Sequence, residues 1–183
     1  MNKIIDISKI TLKSNRLLLR PWNLDDLDDF FEYASVDGVG QMAGWIPHEN
    51  KEHSILILNM FINEKKTFAI EFNNKVIGSL GIEKYNESEL PEFNEKVGAE
   101  LGFVLSKDYW GMGIMPEAVQ EVIRYLFNEM GLDFLVCCHF VDNPQSEKVQ
   151  FKCGFKHYKL VKHETRYGIS KDTWVSILHN PRI

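Results

Sequence analysis

Cysteine is scarce in this 183-residue sequence: there are three, and Cys137 and Cys138 are adjacent, with Cys153 apart. An odd count with a neighbouring pair makes no disulfide framework, and no CxxC or HExxH spacing occurs. A reduced protein with buried thiols is expected. The histidines (His48, His53, His139, His157, His163 and His179) are scattered. They read as surface or strand-packing residues, and no metal is expected. Proline is sparse and is never gathered with glycine and serine into a linker, and no repeat divides the chain, so residues 1–183 read as one domain. No apolar run is long enough to span a bilayer. The opening Met1–Asp6 carries an acid where a signal peptide needs an apolar core, which predicts a cytoplasmic protein with no membrane partner. Basic blocks are missing too. With 21 Lys+Arg against 26 Asp+Glu the net charge is -5, which disfavours nucleic acid and favours a cationic partner.

What is present is a globular pattern, 44% hydrophobic, in which two periodicities alternate. Thr11–Pro21 reads as a strand closed by proline. Asn23 can cap a helix carrying Leu24, Leu27, Phe30, Phe31 and Ala34, and a second helix is predicted over Glu49–Glu64, with Ile55, Leu58 and Ile62 on one face. Thr67–Phe72 and Val76–Ile82 form a hairpin across Asn73-Asn74. Tyr85–Lys96 is a polar loop, and Val97–Leu105 a third strand. Pro116–Met130 reads as a helix with proline at its first position and Gly131 as its C-terminal stop. Phe134–Val141 is a strand, Pro144–Cys153 a short helix, and Phe155–Val161 and Thr173–Leu178 close the sheet.

The stretch Leu105–Glu117 (LSKDYWGMGIMPE) is the most informative. A strand ends, Gly111 and Gly113 follow at alternate positions, and a helix starts. The glycines let a ligand approach the main chain. The helix start supplies unpaired N–H groups and a positive dipole end. A diphosphate held there gains about 1.5–3 kcal/mol per charged hydrogen bond. The bland alternative is a tight turn and nothing more. A dinucleotide fingerprint fails because Pro116 falls on its third glycine, and no Gly-Lys-Ser/Thr follows for a triphosphate loop.

A second constellation runs from Asn143 to Phe155 as Asn-x-x-Ser-x-x-Val-x-x-Lys-x-Gly-Phe. Together with Arg16-Leu17-Leu18-Leu19-Arg20-Pro21, Ala99-Glu100-Leu101-Gly102-Phe103 and Trp110-Gly111-Met112-Gly113, it resembles the GNAT acetyltransferase superfamily. Within that family the likeness is to the branch that acetylates N-termini of ribosomal proteins. The resemblance implies an α+β (mixed α/β) fold, with a mostly antiparallel, splayed sheet of about seven strands flanked by about four helices. It implies acetyl-coenzyme A as cosubstrate, its arm in the split beside Phe103, Val104 and Leu105. The diphosphate would sit on the amides of Gly111, Met112, Gly113, Ile114 and Met115 beside Trp110, and Asn143 and Ser146 would lie near the arm. The family also implies a homodimer. Two positions depart from its pattern: Asp108 stands where a Gln or Arg often begins the turn, and Gln150 stands where a tyrosine acid often sits.

Direct transfer to a primary amine needs the reactants held together, a base for the amine and an acid for the departing thiolate. By family position Ser146 is the candidate acid, against the alternative that it merely starts its helix. Glu100, in an otherwise apolar strand, is the candidate base, against an exposed strand face or an ion pair with Arg16 or Arg20. Trp45, with Ile46 and Pro47, lines the acceptor pocket or pins a loop. The acceptor is a peptide N-terminus, as the branch implies, or a small amine such as a polyamine, amino sugar or antibiotic, for which the acidic loop Glu87–Glu95 would serve. A coenzyme-sensing module without catalysis is the alternative from another class.

Overall fold

A computed structural model describes residues 1–182 of the chain. In chain order the elements are β1 (Leu12–Lys13), β2 (Leu17–Pro21), α1 (Leu27–Ala34), α2 (Lys51–Glu64), β3 (Thr67–Phe72), β4 (Lys75–Glu83), β5 (Gly98–Leu105), α3 (Ile114–Asn128), β6 (Phe134–Phe140), α4 (Pro144–Lys152), β7 (Lys156–Glu164) and β8 (Ser170–His179). The strands form one sheet in the order β1-β2-β3-β4-β5-β6-β8-β7. Every neighbouring pair is antiparallel except β5 and β6.

Several boundaries have local causes. The stretch expected to be one strand from Thr11 folds back on itself, pairing Leu12 with Leu19. The β3–β4 turn is held by Asn73 and Asn74, both at positive φ, the geometry that matches strand twist in a two-residue hairpin. Helix α3 begins two residues before the expected start, so Pro116 is its third residue, where its missing N–H removes only a group without an intrahelical partner. The loop read as polar between β4 and β5 buries Tyr85, Leu90 and Phe93 over Phe134, Val136, Val175 and Ile177.

Alternation along the strands sorts the core onto two faces. On one face α3 lays Ile114, Ala118, Val119, Val122 and Leu126 against Leu19, Phe68, Leu80, Leu101 and Leu135. On the other, α1 and α2 pack Phe30, Tyr33 and Leu58 against Ala69 and Val76. No helix among the described residues is long and apolar enough to cross a membrane.

The consequential feature lies at the parallel pair. β5 and β6 run together from Gly98/Phe134 to Leu101/Cys137 and then part. β5 continues beside β4 to Leu105, and β6 beside β8 to Phe140. Past the fork, each strand keeps an edge facing the other across a gap.

Candidate active site

The gap opens into a cavity of about 620 Å³, lined by the end of β5, the turn before α3, the end of β6 and the first turns of α4. Phe103, Val104, Leu105, Trp110, Gly111, Gly113, Ile114, Met115, Asn143, Ser146 and Glu100 all line it. Thus most of the residues singled out in the sequence share one cleft, although they lie on three separate segments of the chain.

The turn before α3 is built for close approach. Gly111 and Gly113 have φ of 78° and 73°, and a Cβ on Gly111 would meet open space. Gly113 caps α3 with no side-chain hydrogen bond. Among the described residues, none of the amides from Gly111 to Met115 donates to a protein acceptor; Glu117 is the first to return a bond, to the carbonyl of Gly113. Five consecutive donors without a partner at the positive end of a helix form a ready anion cradle. The Trp110 indole braces it by donating to the carbonyl of Leu105 at 2.9 Å. Met112 contributes only main chain: its side chain is exposed and lies outside the cavity lining. Asp108 is exposed, clear of the cradle.

Sequence reasoning passed over Arg16 as a site residue. Its guanidinium donates to Glu117 Oε2 at 2.7 Å and to the Met112 carbonyl at 3.1 Å, which sets a cation beside the turn. The signal was the charge pair itself, but the two residues lie about a hundred positions apart, and only the sheet brings them together.

Helix α4 is closed where α3 is open. Asn143 accepts from the Ser146 amide at 3.1 Å, and its own amide donates to the Met42 carbonyl at 3.2 Å. The cap is therefore Asn143, and the Ser146 hydroxyl is not spent on starting the helix. That hydroxyl accepts from Gln150 Nε2 at 3.3 Å. Gln150 is fully buried, and it also donates to the Cys138 carbonyl at 3.2 Å and meets His139 Nδ1 at 3.0 Å.

Glu100 stands just before the fork, on the face opposite Leu101. Its expected ion-pair partners are taken: Arg16 by Glu117, and Arg20 by Asp26 and Glu71. Burial pushes the Glu100 carboxyl up to about 7, and Glu83 and Glu89 push the same way, while a hydrogen bond with the Cys138 thiol opposes them. Burial likewise raises the Cys137 and Cys138 thiols well above their ordinary value, which disfavours their thiolates.

Trp45 does not reach the cleft. Its ring covers Gly40, where a Cβ would fall 2.2 Å from it, and packs beside His48 in the α1–α2 core. The indole anchors the turn from Gly40, while Met42 and Ala43 of that turn line the cavity.

Comparison with known proteins agrees with this geometry. The family model described as an acetyltransferase (GNAT) domain matches residues 16–156. The uncharacterized N-acetyltransferase YoaA of Bacillus subtilis is 27% identical over 179 residues, covering 93% of this chain and 97% of its own. The candidate ribosomal N-acetyltransferase YdaF of the same organism is 35% identical over 66 residues, 36% of this chain and 35% of its own. A solved GNAT-family acetyltransferase from Bacillus anthracis shares the fold with a TM-score of 0.81 at 22% identity, covering 93% of this chain and 99% of that one. The span matched by the family model contains the open helix start, the fork and the Glu100 carboxylate, and the chain belongs to the GNAT acetyltransferase family as an N-acetyltransferase dependent on acetyl-coenzyme A.

Proposed function

We propose that the chain works as one domain and acetylates the α-amine of a peptide by direct attack in a ternary complex, with Glu100 as base and Ser146 as acid. The observation that carries this reading is Glu100. It is a carboxylate at the fork with no cation beside it and a pKa of about 7, matched to taking a proton at working pH.

The coenzyme supplies its acetyl group as a thioester. The amides from Gly111 to Met115 hold its diphosphate, and the free edge of β5 at Phe103, Val104 and Leu105 aligns the arm. Glu100 projects to the other face of the sheet, so the amine comes from the side of the Tyr85–Phe93 loop. As the nitrogen–carbon bond forms and the carbon–sulfur bond breaks, Glu100 receives the amine proton. Ser146 Oγ gives its proton to the departing sulfur and regains one from solvent. Gln150 has a part in this: its Nε2 occupies a lone pair of the Ser146 oxygen, which leaves the hydroxyl hydrogen free to point elsewhere. The peptide acceptor is supported by the motif likeness to the ribosomal-protein branch and by the name of YdaF.

A small cationic amine is the second reading. It is favoured by Glu83 and Glu89, whose charges act on Glu100, and by Glu89 lining the cavity. Thiol release from acetyl-coenzyme A across N-terminal alanine and serine peptides, polyamines and amino sugars tests both. Turnover on peptides supports the first, and turnover confined to polyamines or amino sugars replaces it with the second.

A further inference from the structure

Behind the wall that carries Ser146, three side chains from three elements converge: His139 of β6, Glu147 of α4 and His157 of β7. One ligand atom from each lies within 4.8 Å of the others. Glu147 Oε1 is 3.5 Å from His157 Nε2 and 4.0 Å from His139 Nε2.

The protonation of this cluster can be read from its surroundings. The Cys138 carbonyl can only accept, so Gln150 must present its NH₂ there. Its Oε1 then faces His139 Nδ1 at 3.0 Å, so that nitrogen carries the hydrogen. In the neutral ring Nε2 is left with a lone pair directed towards a carboxylate. His139 is almost wholly buried, its side chain 1% exposed. His157 Nε2 is itself buried without a hydrogen-bond partner. Its ring is fixed flat against Trp174, with centroids 4.3 Å apart and planes 3° apart. His139 Nε2, His157 Nε2 and a Glu147 carboxylate oxygen therefore lie together, and His157 Nε2 has no hydrogen bond of its own. A ring nitrogen whose other N–H is held by an amide oxygen is the arrangement of a metal-bound histidine. The 3.5 Å between Glu147 and His157 is close to the ~3.3–3.5 Å separating two ligands of a tetrahedral ion with bonds of about 2.0–2.1 Å, and the 4.0 Å between Glu147 and His139 has to shorten by about half an ångström when the ion binds.

We propose that His139 Nε2, His157 Nε2 and the Glu147 carboxylate bind a divalent transition-metal ion of the zinc class, pinning α4 to β6 and β7. This site lies outside the acetyl-transfer chemistry. It adjoins that chemistry through Gln150, which contacts both His139 and Ser146, through α4, on which Glu147 follows Ser146, and through His139, which lines the cavity. Two imidazoles and one carboxylate suit zinc better than magnesium or calcium, and Glu147, 37% exposed, leaves a path for entry.

Cobalt(II) is the direct probe. Metal-free protein titrated with one equivalent should develop the visible d–d bands of a four-coordinate nitrogen–oxygen site, without the near-ultraviolet charge transfer of a thiolate. Copper(II) should quench the fluorescence of Trp174, judged against Trp174→Phe. Zinc should displace cobalt and raise the melting temperature. Glu147→Gln changes a partly exposed side chain, and it should weaken binding about tenfold or more. His157→Gln should do the same, with circular dichroism confirming that both variants fold. Thiolate charge transfer, equal affinity in the variants, or no visible band at stoichiometric metal would each overturn the assignment.

Discussion

Two helices face the cleft, and their N-termini are built in opposite ways. At α4, Asn143 closes the helix by accepting from the Ser146 amide. At α3, Gly113 offers no side chain, and five amides in a row have no protein partner. The more distant α2 is capped by Asn50, which accepts from the His53 amide. A cap contributes ~1 kcal/mol, which α3 forgoes. On the proposed function, the difference separates a terminus left open for an anion from a closed one that mounts the Ser146 hydroxyl.

The predictions follow from disturbing one terminus or the other, or the carboxylate between them. Replacing both Gly111 and Gly113 by valine removes the positive-φ turn, and loss of two or more charged hydrogen bonds should weaken coenzyme binding by about 10⁴-fold in calorimetry. A double variant that bound as tightly as wild type would dissolve the contrast. Glu100→Gln should lower kcat by about 10³-fold and leave coenzyme affinity intact. In the wild-type enzyme the rate should climb as pH rises through about 7 and then level, and the variant should lose that limb. Stability has the opposite sign. The folded carboxyl holds its proton more tightly than the ordinary 4.5, so the native state should lose stability as pH rises from there through about 7, and the glutamine variant should not. Ser146→Ala should reduce kcat by about 10²-fold, again with coenzyme affinity unchanged. Smallest in effect, Asn143→Ala should lower unfolding stability by about 1 kcal/mol in denaturant titration, since it removes the cap. Unchanged stability there would show that the cap is ornamental.

Legibility in the sequence followed the range of the interactions. The glycine turn before α3 could be read because its parts are consecutive: a strand end, two glycines and an amphipathic helix. The α4 cap was not read: Ser146 was offered as the residue that starts the helix, whereas the acceptor is Asn143 and Ser146 supplies the amide. Glu100 was visible as an acid in an apolar strand, but whether it was paired depended on where Arg16 and Arg20 spent their charges. For Trp45 two readings stayed open, because a bulky aromatic before a helix looks the same from sequence whether it lines a cleft or covers a glycine, as its ring does at Gly40. Tyr85, Leu90 and Phe93 hid inside a polar loop whose burial is set by strands far along the chain. The histidines looked scattered because His139, Glu147 and His157 meet only after α4 crosses between β6 and the sheet's far edge.

Amide chemical shifts followed during a titration with coenzyme A test the central claim most directly. The five signals from Gly111 to Met115 should move together and saturably, each downfield as it gains an acceptor, while the already bonded Ser146 amide moves little. Saturable binding that leaves those five resonances in place, or no binding heat at all, would contradict the account.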